Sequence, residues 1–198
     1  MSHRPRLVIL YEDSRGPTTR FPLHDLVVKS AADLLQSGVD IHELFRRVVA
    51  VPRNGVNKVV DTVRRGDRFW QHGTHVLVWV DNDRIRRALR LEPRCSKATV
   101  FSAIKACAPV DPRGAPAAQL EVFLLENNLE DLLSSIDGQL DATLLGKALA
   151  KRLDARDILL DEIARSRQLR AALRASHAGF DWVSRFVASI VETDSPPP

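Results

Sequence analysis

The chain has 198 residues, enough for one domain with a full core or for one domain with a small helical appendage. Its hydrophobic content of 44% and charged content of 27% are ordinary for a globular protein, and no apolar run approaches the roughly 18 residues that a membrane span requires. The net charge of +4 is compatible with a nucleic-acid partner but does not identify one.

The N-terminal residues do not resemble a signal peptide, because Met-Ser-His-Arg-Pro-Arg leads straight into a short strand-like run. The two cysteines, Cys95 and Cys107, match no zinc-binding spacing and are expected to be free thiols. We therefore expect a cytoplasmic protein that does not enter a membrane. The oligomeric state stays open.

Strands and helices alternate along the N-terminal part. Arg6 to Tyr11 is typical of a strand that ends at Glu12, and apolar residues at helical spacing predict a helix between Leu23 and Leu35. Three valines predict a second strand within Phe45 to Val51. A short helix is expected from Val56 to Arg65, because three further valines would share one of its faces.

The run from His75 to Val80 is the clearest strand. Its apolar residues are nearly continuous rather than alternating, which favours a central strand buried on both faces. The strand ends at Asp81-Asn82-Asp83, and a basic helix is expected to begin at Arg84. Ser96 is the predicted cap of the next helix, Lys97 to Cys107.

A further strand is predicted from Leu120 to Leu125, and helices follow it. The alternation predicts an α/β fold, with a mainly parallel four-stranded sheet flanked by helices and a helical C-terminal part. The expected organisation is an α/β domain over residues 1–140, helices packed on it over 141–193, and a disordered tail over 194–198.

Carboxylates follow three of the predicted strands. They are Glu12 and Asp13 after the first, Asp81 and Asp83 after the third, and Glu126 and Glu130 after the fourth. The carboxyl ends of parallel strands share one edge of the sheet, where open α/β folds bind ligands, so these acids are expected to gather there. Clustered carboxylates repel one another unless a hard cation offsets the repulsion, which predicts a Mg²⁺ or Mn²⁺ site.

The Asp-x-Asp also has a purely structural explanation. Asp81 and Asp83 point the same way if the chain stays extended, as two metal ligands would require. Alternatively, Asp83 caps the helix that begins at Arg84, and Asp81 is a solvated strand end. The sequence leaves both interpretations open.

The pattern resembles the Toprim domain, the fold shared by topoisomerases, bacterial primases and the overcoming-lysogenization-defect (OLD) nucleases. Leu-Val-Ile-Leu-Tyr-Glu12 matches the first element of that family, and Leu-Val-Trp-Val-Asp81-Asn-Asp83 matches the second. The similarity is closer to small stand-alone Toprim-like proteins that are often encoded beside ABC-type ATPases in phage-defence loci. There an acidic residue follows the next strand and opens a helix, as in Val-Phe-Leu-Leu-Glu126-Asn-Asn-Leu-Glu130.

The resemblance implies a Mg²⁺- or Mn²⁺-dependent nuclease that cuts DNA or RNA, as the effector of an anti-phage system with an ATPase partner. It implies that Glu12 is a metal ligand and general base, and that Asp81 and Asp83 hold a second or shared metal. Glu126 or Glu130 completes the set of ligands, with Asp13 as a substitute for an acid that the family places later in the first turn. Lys147 corresponds to a catalytic lysine that OLD-type nucleases take from their C-terminal part.

The turn after Glu12 departs from the family, because Gly16 is displaced from the position where the family has its glycine. This departure supports an alternative, in which a non-catalytic Toprim-like module docks on an ATPase. A third interpretation makes Asp81 a receiver-like phosphoacceptor, against which the long helical C-terminal part argues.

Basic residues near the strand ends are candidates for contact with a nucleic-acid backbone. Lys58 follows the turn at Asn54-Gly55, and three arginines follow the Asp-x-Asp: Arg84, Arg86 and Arg87. The alternative for these residues, as for Lys147, is an ordinary solvated surface.

Overall fold

A computed structural model describes residues 6–12, 21–35, 39–66, 74–110, 119–125, 128–150 and 152–192. The four strands of its sheet are β1 (Leu7–Glu12), β2 (Val48–Arg53), β3 (His75–Asp81) and β4 (Gln119–Leu125). The helices of the first 110 residues are α1 (Pro22–Ala32), α2 (Ile41–Arg47), α3 (Val56–Arg65), α4 (Asn82–Ala88) and α5 (Lys97–Cys107). Those after β4 are α6 (Asn128–Ser134), α7 (Ala142–Leu149), α8 (Leu153–Arg165), α9 (Arg167–Ser176) and α10 (Ala178–Glu192), with a 3₁₀ helix at Asp137–Gln139.

The sheet has the strand order β2-β1-β3-β4, and every pair is parallel. Parallel neighbours require crossover connections, and each connection in this chain contains at least one helix. The predicted fold is therefore confirmed: a parallel four-stranded sheet flanked by helices, with helices toward the C-terminus. All four strands end on the same edge, which we call the carboxyl edge.

The two central strands are buried on both faces. From Leu7 to Tyr11 no residue of β1 exceeds 1% exposure, and from Val76 to Val80 none of β3 exceeds 2%. On one face, Trp79 lies between Tyr11 and Phe123, with ring centroids 5.7 and 4.6 Å away. This double burial explains the nearly continuous apolar run that identified β3 in the sequence.

Helices α3, α4 and α5 cover the other face of the sheet. Valines and leucines of all four strands pack there against these helices, in one core cluster that includes Val59, Ile85 and Ile104. Ser96 caps α5 as predicted, because its Oγ accepts a hydrogen bond of 3.1 Å from the Thr99 N–H. The turn from β2 into α3 passes through Gly55, whose φ of +84° suits a residue without a side chain.

The predicted start of the second strand was wrong. Phe45 belongs to α2, and β2 begins only at Val48. The strand also continues through Pro52, where the sequence predicted its end. β2 is an edge strand, so a residue without a backbone N–H is tolerated there.

The chain divides into two compact units, and each consists of two segments. The first unit contains Met1–Thr18 and Arg47–Glu126, and the second contains Thr19–Arg46 and Asn127–Pro198. This division differs from the boundary at residue 140 that the sequence indicated, because α1 packs against α8 and α10. No helix in the described part of the chain is long and apolar enough to cross a membrane.

A buried ionic network ties α1 to α9 in the second unit. Asp33, just after α1, accepts two hydrogen bonds of 2.8 Å from Arg170 and one of 3.3 Å from Arg174. Arg174 also donates to the hydroxyl of Ser30, which accepts a bond of 3.0 Å from Ser184 on α10. None of these residues has a buried side-chain polar atom without a hydrogen-bond partner, as burial requires.

The first prediction concerns this network. The Asp33→Asn substitution should lower the free energy of unfolding by about 3 kcal/mol, because it leaves two buried guanidinium groups without their counter-charge. Urea unfolding followed by circular dichroism measures the change. The matched control is Asp154→Asn, which removes a solvated carboxylate paired with Arg152 in the first turn of α8 and should shift the midpoint far less than Asp33→Asn does. Equal effects of the two substitutions would contradict the prediction.

The second prediction is the pH dependence of the same contribution. Burial raises the pKa of Asp33, but the hydrogen bonds and charges of Arg170 and Arg174 outweigh it and leave the pKa below the ordinary value of 3.8. A carboxyl whose pKa falls on folding stabilises the folded state when it is ionised. Its contribution to the free energy of unfolding is therefore complete well above pH 3.8 and is lost as the pH falls through the lowered pKa. Urea unfolding from pH 6 to pH 3 should therefore show the difference between wild type and Asp33→Asn shrinking only below about pH 4.

Candidate metal and nucleic-acid site

Glu12 and Asp81 are brought together by the register of the sheet. Each is the last residue of its strand, and β1 lies beside β3 with Tyr11 opposite Trp79. Side chains alternate along a strand, so Glu12 lies on the face that carries α3, α4 and α5. The predicted placement of these two acids at the carboxyl edge agrees with the structure.

The two carboxylates share one arginine. Arg84, in the first turn of α4, donates from Nη1 to Glu12 Oε1 over 3.1 Å, and its Nε lies 3.4 Å from Asp81 Oδ2. The other oxygen of Glu12 is 3.4 Å from the backbone nitrogen of Asp81. The Glu12 side chain is only 5% exposed and that of Asp81 14%, whereas Arg84 is 52% exposed. Asp81 is therefore not a solvated strand end.

The charge of Arg84 is stabilised by this arrangement. The hydrogen bond to Glu12 raises the pKa of the guanidinium, burial lowers it, and the negative charges of Glu12, Asp81 and Asp83 raise it further, so that the net direction is upward. The arginine offsets the repulsion that two neighbouring carboxylates would otherwise feel. Arg84 is thus the cationic group that contacts both acids.

Asp83 points elsewhere. The chain does not stay extended after Asp81, because α4 already begins at Asn82. Asp83 lies in the first turn, where a negative charge favours the helix, and its Oδ2 pairs with Arg87 over 2.7 Å on the exposed surface. The alternation that would have aligned Asp83 with Asp81 therefore ends at Asp81, and the role of Asp83 as a ligand stays a prediction.

The other acidic candidates are distributed differently. Asp13 and Glu126 lie outside the described residues. Glu130 is half-buried in the first turn of α6, and Lys147 is exposed on α7. Both residues belong to the second unit. Their roles in catalysis and metal binding stay predictions.

The predicted nucleic-acid contacts fall into two groups. Lys58 on α3 and Arg87 on α4 are exposed, as contact with a backbone requires. Arg86 instead donates to the side chain of the buried Asn82 over 3.1 Å and to the carbonyl of Pro93, so it holds α4 to the turn that follows. Arg86 has a structural task besides the predicted one.

Arg53 was not identified from the sequence. It is the register partner of Glu12 at the end of β2, and its Nε donates to Thr62 Oγ1 over 2.7 Å. Thr62 in turn donates to the carbonyl of Lys58 over 2.7 Å. A second guanidinium is thus anchored at the carboxyl edge, on the strand next to Glu12. The sequence signal was the strand end itself, which was predicted at Val51, two residues too early.

The number of acidic side chains at the carboxyl edge limits which metal ion could bind there. Among the described residues there is no group of three or more histidine, cysteine or acidic side chains that could hold a metal. Magnesium is, however, commonly held by one or two carboxylates together with water and substrate phosphates. Glu12 and Asp81, which already share one cationic group, supply such a pair.

Comparison with protein-family models, with curated proteins and with solved structures found no match to this chain.

The third prediction tests the shared arginine. A double-mutant cycle of Glu12→Gln and Arg84→Gln, measured without divalent ions, should give a coupling free energy of about 1 kcal/mol that falls as salt is added, because Arg84 is half exposed. The control cycle of Asp83→Asn and Arg87→Gln, an exposed pair one turn apart, should give about 0.3 kcal/mol. Equal coupling in the two cycles would show that the burial of Glu12 does not strengthen its pairing with Arg84.

Proposed function

We propose that this protein is a nuclease that uses Mg²⁺ or Mn²⁺ to hydrolyse phosphodiester bonds in DNA or RNA. The proposal depends on one observation above all: Glu12 and Asp81 meet at the carboxyl edge and share a single positive charge. That edge is where open parallel sheets bind ligands. Neighbouring carboxylates repel each other, which destabilises the sheet, and a purely structural strand end does not require them.

The residues of the site have distinct tasks in this proposal. A bound divalent ion would polarise a phosphoryl oxygen and lower the pKa of a bound water. Glu12 and Asp81 each offer one carboxylate to the ion, and Glu12 is the proposed general base. The backbone nitrogen of Asp81 lies 3.4 Å from one oxygen of Glu12, which helps to orient that carboxylate. Lys58 and Arg87 supply exposed positive charge for the backbone of the nucleic acid.

The cellular setting follows from the resemblance to Toprim-like proteins. We infer that the nuclease works in the cytoplasm as the effector of an anti-phage system, together with an ABC-type ATPase. Asp13, Asp83, Glu126, Glu130 and Lys147 are the proposed additional ligands and catalytic groups.

The fourth prediction is a cleavage assay with purified protein. Wild type should cut plasmid DNA, single-stranded DNA or RNA with Mg²⁺ or Mn²⁺ and should stop on addition of EDTA. Glu12→Gln and Asp81→Asn should each lose about 10²-fold or more in rate, because each removes a proposed ligand of the ion that acts on the reacting phosphate. Asp83→Asn should lose less than either, because Asp83 faces Arg87.

The matched control is Glu92→Gln, which removes an exposed acid of the same unit and should cut like wild type. Cleavage that persists unchanged in Glu12→Gln would belong to a contaminant. Intact substrates with wild type under every metal condition would refute the proposal.

A second candidate is a non-catalytic module that docks on an ATPase partner. One observation favours it, namely that Arg84 already pairs with both carboxylates without a metal. The second unit also has large apolar side chains on its surface: Leu149, Leu153, Ile158 and Trp182. If wild type cuts nothing, loss of ATPase binding in Ile158→Glu or Trp182→Glu, but not in Glu12→Gln, would support this candidate.

A further inference from the structure

The component of the site that can move is Arg84. Glu12 and Asp81 end strands in the centre of the sheet, and their side chains are 5% and 14% exposed. Arg84 reaches them from α4 with a side chain that is 52% exposed. Rotamer changes of such a side chain take only picoseconds to nanoseconds, whereas moving either carboxylate would disturb a buried strand.

The contacts of Arg84 with Glu12 and Asp81 are strong enough that a cation binding to the same acids has to compete with them. It contacts one oxygen of each acid, over 3.1 Å to Glu12 and 3.4 Å to Asp81. The contact with Glu12 is a charge-assisted hydrogen bond, which is stronger than a neutral one and is strengthened further by its buried acceptor, and the contact with Asp81 is an ion pair. The upward shift of the Arg84 pKa has the same origin.

We propose that Arg84 is a built-in counter-ion that a divalent cation must displace before it can bind to Glu12 and Asp81. The inference rests on the proposed function, because it concerns the same pair of acids. It makes Arg84 a regulatory residue: the arginine keeps the acids together without metal and weakens the affinity for metal when metal is scarce. Once displaced, its guanidinium fork is free to pair with a phosphate at the same edge.

A consequence follows for the conservative variant. Lysine keeps the positive charge but presents a single ammonium group, which cannot span two carboxylates as the planar guanidinium does. Arg84→Lys should therefore bind metal with an affinity between those of wild type and Arg84→Gln.

The fifth prediction is a titration of Mn²⁺, with free ion measured by electron paramagnetic resonance. Arg84→Gln should bind Mn²⁺ about tenfold more tightly than wild type, as expected when a competitor worth about 1.4 kcal/mol is removed. Lys105→Gln is the matched control, because it removes a similarly exposed cation of the same unit that pairs with Glu121, and its affinity should equal that of wild type. Glu12→Gln should lose binding in every background.

Thermal melting separates competition from a structural role. Arg84→Gln should melt below wild type in EDTA, because its acids repel, and should gain more than wild type on addition of Mn²⁺. If Arg84→Gln does not fold without metal, the comparison of Arg84→Lys with wild type gives the same test.

The outcomes distinguish this inference from the proposed function. Equal or weaker binding of Mn²⁺ by Arg84→Gln, with measurable binding by wild type, overturns the counter-ion and leaves the metal-dependent nuclease standing. Absence of Mn²⁺ binding in wild type and in both Arg84 variants overturns the metal site and the counter-ion together. Binding of Mn²⁺ by Arg84→Gln but not by wild type supports the counter-ion, because Arg84 then prevents binding of the metal altogether.

Discussion

Parallel pairing of β1 with β2 and β3 is the constraint on which the candidate site depends. Leu7 lies opposite His75 on one side and opposite Val48 on the other, and this register continues to the carboxyl edge. Side chains alternate along a strand, so a slip of one residue would turn every side chain of β1 to the opposite face. The same register brings Glu12 level with Arg53 and within reach of Arg84.

The carboxyl edge is consequently a place where charge is concentrated at the end of an apolar core. Two carboxylates with little exposure would destabilise the sheet if they stood alone, since ionised groups lose hydration on burial. Arg84 meets both of them from the first turn of α4, only three residues after Asp81. The stability of the strand ends and the availability of the acids for another cation are therefore two consequences of one contact.

The second unit also pairs a carboxylate of little exposure with arginine, but in a different arrangement. The shortest contacts of Asp33 are with Arg170 and Arg174, which are 10% and 12% exposed, so these three side chains are largely withdrawn from solvent. Arg167, which is 81% exposed, lies farther from Asp33, at 3.9 Å. We interpret the Asp33 network as a fixed structural contact between helices and the Arg84 contact as an exchangeable one.

The sequence by itself determined the fold class and the position of two acids at the end of central strands. Nearly continuous apolar runs identify doubly buried parallel strands, and a charged residue directly after such a run has to lie at the edge of the sheet. Glu12 and Asp81 could be predicted for this reason, and Ser96 could be recognised as a cap because capping is local.

Only the tertiary structure decided which groups these acids meet. Asp83 turned away because the helix begins at Asn82, and helix boundaries shift by one or two residues with packing that the local sequence does not encode. Arg53 was missed because the predicted second strand ended two residues too early, which conceals its register with Glu12. The amphipathic pattern of α1 shows that one face is buried but not against what, so its membership of the unit that contains α8 and α10 could not be read from the chain. Contacts between residues distant in sequence depend on the whole packing, and the sharing of Arg84 by Glu12 and Asp81 is such a contact.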